Sequence, residues 1–155
     1  MIPALDYRGL LPEGIHECTL TEACDWKGND VRRGKIWSGL EIVLVELRNL
    51  VVQSEQMPGI ILAGSYFSDK PNPGDIEITV MLKTAHPLTT GKFILAYIAK
   101  QYIWKSEHEV DFHPTIDALG ANDFGAFFQY VGTKTAALKG INPSDKRGVV
   151  KVNQW

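Results

Sequence analysis

The sequence predicts a mixed α+β domain, a small central mixed β-sheet of about four to five strands flanked by helices. Three observations carry this. Ile36, Leu40, Val43, Leu44, Leu47, Leu50 and Val51 recur at three- and four-residue spacing, as on a helix with one buried face. "GIILAG" and "DIEITVML" are short, β-branched and bounded by Gly and Pro, as strands are. Helical and strand patterns alternate along the chain instead of falling into separate blocks.

The elements follow in order. Residues 1–18, broken by Pro3, Gly9, Pro12 and Gly14, read as an irregular lead-in. Thr19 and Glu22 have the spacing of a capping box, so a short helix starts there and stops at Gly28-Asn29. Asn29 or Asp30 caps the long helix described above, and Pro58-Gly59 ends that region. "GIILAG" is a buried strand ending at Gly64, residues 65–74 are a loop, and "DIEITVML" is the next strand. His86 and Pro87 close it. Thr89 or Thr90 caps a helix to about Trp104, with Phe93, Ile94, Tyr97, Ile98 and Tyr102 on its apolar face. "EVDFH" is a third strand, cut off by Pro114; "NDFGAFFQYVG" is helical with Asn122 as cap; "GVVKVN" is a last strand. Nothing in the pattern calls for a second domain, so residues 1–155 read as one.

Composition narrows the function classes. With 45% hydrophobic residues among 155, the chain can bury a core of its own. A formal net charge of -2 supplies no global field for duplex DNA or an anionic membrane. Cys18 and Cys24 lack CxxC spacing and a His-rich neighbourhood, which argues against zinc. No run approaches the roughly 18 apolar residues that span a bilayer. The opening "MIPALDYRGLLPEGIHE" has no basic-then-apolar order, so the expected location is the cytoplasm.

The unusual stretch is "GSYFSDKPNPGDIEITV". Residues i and i+2 of a strand share a face, so Asp75 and Glu77 project together while Ile76, Ile78 and Val80 pack on the other side. Adjacent carboxylates repel unless a cation lies between them, and hard oxygen donors suit Mg2+ or Mn2+. Asp111 has the same apolar-acid-apolar setting in "EVDFH". If the strands are neighbours, it reaches the same face, and three carboxylates can hold two ions roughly 3.5–4 Å apart for in-line phosphoryl displacement. Gly64 lets a ligand approach the backbone, Ser65 offers a hydroxyl and an N–H to phosphate, and Lys70 is the one base in the loop.

Strand-Gly64-Ser65, nine intervening residues, Asp75-x-Glu77, then a strand bearing Asp111 resembles the DNA polymerase β-like nucleotidyltransferase superfamily. The opening residues with "GSYFSDKPNPGDIE" are further similar to small bacterial nucleotidyltransferase-like proteins without an assigned substrate. The resemblance implies that Gly64, Ser65 and Lys70 hold the phosphates of an NTP and that Asp75, Glu77 and Asp111 bind Mg2+ or Mn2+. It implies transfer of a nucleoside monophosphate to an acceptor hydroxyl of an RNA or tRNA end, a partner protein or a small molecule, as in toxin–antitoxin or defence systems. The alternative is a catalytically degenerate nucleotide-binding or protein-interaction module.

Other residues carry blander readings. His113, two residues beyond Asp111, reads as a strand-end histidine with an acceptor or metal contact as the alternative. "VRRGK" reads as a solvated helix start, with a nucleic-acid backbone contact as the alternative. Phe124, Phe127, Phe128 and Tyr130 read as core and not as a base-stacking platform.

Overall fold

A computed structural model describes residues 1–26 and 28–155. It is a mixed α+β fold around one five-stranded sheet. The elements are β1 (Gly14–Cys18), α1 (Leu20–Asp25), α2 (Val31–Arg48), β2 (Ile60–Ala63), a single 3-10 turn (Ser65–Phe67), β3 (Ile76–Met81), α3 (Pro87–His108), β4 (Val110–Thr115), α4 (Phe124–Phe127), α5 (Thr133–Lys139) and β5 (Gly148–Val152). The strand order is β1-β5-β2-β3-β4, with β1/β5 and β3/β4 parallel and β2 antiparallel to both its neighbours.

The two faces of the sheet are covered unequally. On one, Ile76, Ile78, Val80, Val110 and Phe112 pack against Ile36, Leu40, Val43, Leu44 and Leu47 of α2 and Phe93 and Trp104 of α3. These residues hold the main core. The opposite face carries a smaller cluster, Ile61, Ala63, Val149 and Phe128, with Met81 and Phe124 at its edge. Phe124 N–H donates to Thr115 Oγ1 (3.1 Å), so α4 sits over the far half of β3/β4 and leaves the near half open.

Local chemistry sets the helix ends. Thr19 and Glu22 form the expected capping box on α1, and Asp30 accepts from Arg33 N–H at the start of α2. α2 crosses the end of α3 so closely that a Cβ at Gly39 would lie 2.1 Å from the His108 carbonyl oxygen. α3 then ends at Glu109, a left-handed residue with φ 58°.

Five expectations are corrected. Residues 14–18 of the supposed irregular lead-in are a strand, half-buried at the sheet edge and paired in parallel with β5. α3 starts at Pro87, capped by a ring nitrogen of His86 that accepts from Leu88 N–H (3.1 Å), because Thr89 spends its hydroxyl on Glu55. Ile98 and Tyr102, assigned to its apolar face, are exposed. β4 runs through Pro114, which an edge strand tolerates because no neighbour needs its missing N–H. The aromatic helix is only the four residues of α4, capped by Asp123 instead of Asn122.

Candidate functional site

Parallel pairing of β3 with β4 places Glu77 opposite Asp111 and Thr79 opposite His113. Alternation then puts Glu77, Thr79, Asp111, His113 and Thr115 on the face away from the main core. Thr79 and Thr115 bond to each other (2.8 Å) where α4 covers them. The uncovered end, with Asp75 just before β3, forms one wall of a cleft of about 930 Å3. Asp75, Glu77 and Asp111 all line it, as do Ser65 and Lys70.

Gly64 backs the acids directly. Its φ of 92° disfavours a side chain, and a Cβ there would stand 3.3 Å from Glu77 Cγ. Ser65 opens the 3-10 turn that follows, and Ser68 Oγ–H closes the turn on the Ser65 carbonyl (2.7 Å).

Two arginines of α2 fasten this loop. Arg33 is buried; its guanidinium donates to the carbonyls of Tyr66 (2.8 Å), Ser68 (2.7 Å) and Lys70 (2.8 Å) and to Asp30 Oδ2 (2.6 Å). Arg32 donates to the carbonyls of Pro73 (2.8 Å) and Gly74 (2.9 Å) and to both oxygens of Glu109 (2.8 Å each). Arg32 thereby holds together the approaches to β3 and β4, the strands that carry the acids. "VRRGK" does open a helix, with Val31 and Lys35 exposed, but its two arginines are internal clamps and not part of a solvated charge run.

The acids already face cations. Lys105, from the last turn of α3, donates to Asp75 Oδ2 and to Asp111 Oδ2, the latter at 2.6 Å. Burial lowers the Lys105 ammonium pKa, but hydrogen bonds to Asp111 and Asp75 outweigh it and hold the group above its usual value. Arg147, buried, donates to Glu77 Oε2 (3.0 Å) and to the Phe128 carbonyl (3.1 Å). Even so, burial raises the Glu77 carboxyl; Arg147 opposes this, while the charges of Asp75 and Asp111 add to it.

Asp111 is pushed the other way, down to about 2, first by its hydrogen bond to His113 and then, against burial, by Lys105. His113 Nε2 lies 3.0 Å from Asp111 Oδ1, and its ring stacks on Phe124 with centroids 4.6 Å apart. His113 is not at a strand end, because β4 and its pairing with β3 continue to Thr115.

Five of the six site residues expected from the sequence line the cleft; Gly64 does not, being buried behind Glu77, where its missing Cβ makes room for that side chain and not for a ligand. Sequence reasoning missed Lys105, Arg147 and Lys134, which also line it. Lys105 belongs to no motif, but it lies six residues before Asp111 at the end of a helix that runs into β4. Arg147 gives no local signal, being 70 residues from Glu77.

Among the described residues, no group of three or more His, Cys, Asp or Glu side chains is arranged to hold a metal. Among the described residues, no helix is long and apolar enough to cross a membrane. A family model described as a family of unknown function (DUF6932) matches residues 3–153. No curated protein and no solved structure matches the chain.

Proposed function

The chain belongs to DUF6932, a family without an assigned function, and we propose that it is a divalent-metal-dependent nucleotidyltransferase. The observation that carries this is the meeting of Asp75, Glu77 and Asp111 on one wall of a large cleft, beside the Gly64-Ser65 corner.

The three carboxylates are the hard oxygen donors that Mg2+ or Mn2+ takes, although as they stand they are not arranged as a metal-holding group, and the Lys105 ammonium lies between Asp75 and Asp111. Lys105 is partly exposed on a flexible stem, so it can swing aside. Asp75, Glu77 and Asp111 would hold the metal, which supplies charge neutralisation at the phosphates and a more acidic acceptor hydroxyl.

The chain's own residues do the rest. Ser65, Lys70 and Lys134 stand in the cleft to bind phosphate oxygens. Arg147 fixes Glu77, and Arg32 fixes the spacing of the two strands. The acceptor oxygen attacks the α-phosphorus, the bond to the bridging oxygen breaks, and pyrophosphate leaves. The hydroxyl proton leaves to water in the open cleft, because Asp111, held at about 2, can orient the hydroxyl but not keep its proton. An RNA end, a protein side chain or a small molecule as acceptor, a toxin–antitoxin or defence role and a cytoplasmic location belong to the same proposal.

Incubating each α-labelled NTP with Mg2+, native cell extract and the protein tests it. Wild type is expected to transfer label and Asp75→Ala/Glu77→Ala to fall to background. Equal transfer by both refutes the proposal.

A second reading has a specific observation in its favour. Lys105 and Arg147 already compensate the three acids, as in a catalytically degenerate nucleotide-binding or protein-interaction module. Nucleotide binding without transfer to any acceptor would favour it.

A further inference from the structure

We propose that Phe127 and Tyr130 form a stacking platform for the nucleobase, favouring purines over pyrimidines and distinguishing poorly between adenine and guanine. This rests on the nucleotide reading of the cleft.

The aromatic series at 124–130 splits in the structure. Phe128 is buried in the smaller cluster, but Phe127 is 62% exposed and Tyr130 43%. Leu138, 79% exposed, lies on the same cleft. Single exposed apolar side chains need no explanation. These three share one concavity with the acids and lysines described above. Such a cleft suits a ligand that is multiply charged at one end and flat and apolar at the other.

The platform is held in place before any ligand arrives. Phe127 meets Phe124 edge-on at 6.2 Å and Phe128 at a tilt at 6.3 Å, so its ring packs against two neighbours while much of its surface stays exposed. Tyr130 N–H donates to the Phe127 carbonyl (3.1 Å), so both rings belong to one turn. The Lys146 ammonium covers one face of the Tyr130 ring, 3.2 Å from its centroid.

Arg147 ties this turn to the acids. The same guanidinium that grips Glu77 donates to the Phe128 carbonyl, so the rings and the carboxylates are two arms of one buried residue. Stacking reads ring area and not the pattern of donors on a base edge. The Thr133 and Thr135 hydroxyls nearby both donate and accept, so they add little discrimination.

The test is calorimetry on the full chain with Mg2+ and, in turn, ATP, GTP, CTP, UTP and inorganic tripolyphosphate. Wild type is expected to bind ATP and GTP alike, both more tightly than CTP, UTP and tripolyphosphate. Phe127→Ala and Phe127→Leu should weaken purine nucleotides by roughly 5- to 100-fold while moving tripolyphosphate by less than about twofold. Phe127→Trp should retain binding. Phe127 is exposed, so circular dichroism should show all three variants folded. Unchanged purine affinity in Phe127→Ala and Tyr130→Ala overturns the platform. So does a wild type that binds tripolyphosphate as well as any nucleotide, which leaves a polyphosphate site standing. A wild type that binds neither overturns the nucleotide reading itself.

Discussion

Asp111 shows how single contacts set the chemistry of the cleft. His113 and Lys105 hold its carboxyl at about 2, below the roughly 3.9 of an unfolded aspartate. The unfolded chain therefore takes up that proton first as pH falls. The stability Asp111 contributes is complete above about pH 4 and is lost as pH falls toward 2. Urea midpoints measured against pH should show wild type more stable than Asp111→Asn at neutral pH, with the gap closing below about pH 4. A constant gap would assign the effect to packing. Arg147 gives a second case. Arg147→Met leaves Glu77 half-buried without its partner and should cost roughly 2 kcal/mol, less than for a fully buried pair because Glu77 keeps some solvent. Adding Glu77→Gln should recover part of the loss in the same urea titrations. A double variant that loses the full sum of the single effects would mean the pair is not coupled.

Elements bring these residues to one place, and local sequence marks some elements better than others. The capping box at Thr19, the Asp30 cap and the β-branched runs at 60–63 and 76–81 were legible because each signal lies within a few residues. β1 was not, because "GIHEC" is only half-buried and lacks an apolar alternation; its pairing lies with Gly148–Val152. The start of α3 was hidden by an unusual histidine cap, and Pro87 read as a terminator where it serves as the first helical residue. The arginines at 32 and 33 looked like a surface charge run because their partners are carbonyls between 66 and 74. Arg33→Ala removes donors from three carbonyls at once. It should speed hydrogen exchange in residues 65–74 well beyond that in β2 and β3, as read by mass spectrometry. Uniform acceleration across the sheet would show that Arg33 supports the whole core instead of the loop.

Across the whole molecule, the site depends on parts far apart in the chain. Asp75, Glu77 and Asp111 were legible because two strands each carry the acids in an apolar setting, and the structure pairs those strands in the register that joins them. The counter-ions were not, since Lys105 comes from the end of a helix and Arg147 from the segment leading into β5. The sheet places β5 between β1 and β2, so the C-terminal segment both completes the sheet and delivers Arg147 to the cleft. On the proposed metal-dependent reading, Asp75, Glu77 and Asp111 bind a cation once the Lys105 ammonium, paired with Asp75 and Asp111, is displaced. Titration of the protein with Mn2+ alone, followed by electron paramagnetic resonance, tests this most directly. The expected result is one saturable site, lost in Asp75→Asn/Glu77→Gln/Asp111→Asn and tightened in Lys105→Met. Equal Mn2+ uptake by wild type and the triple variant would contradict it.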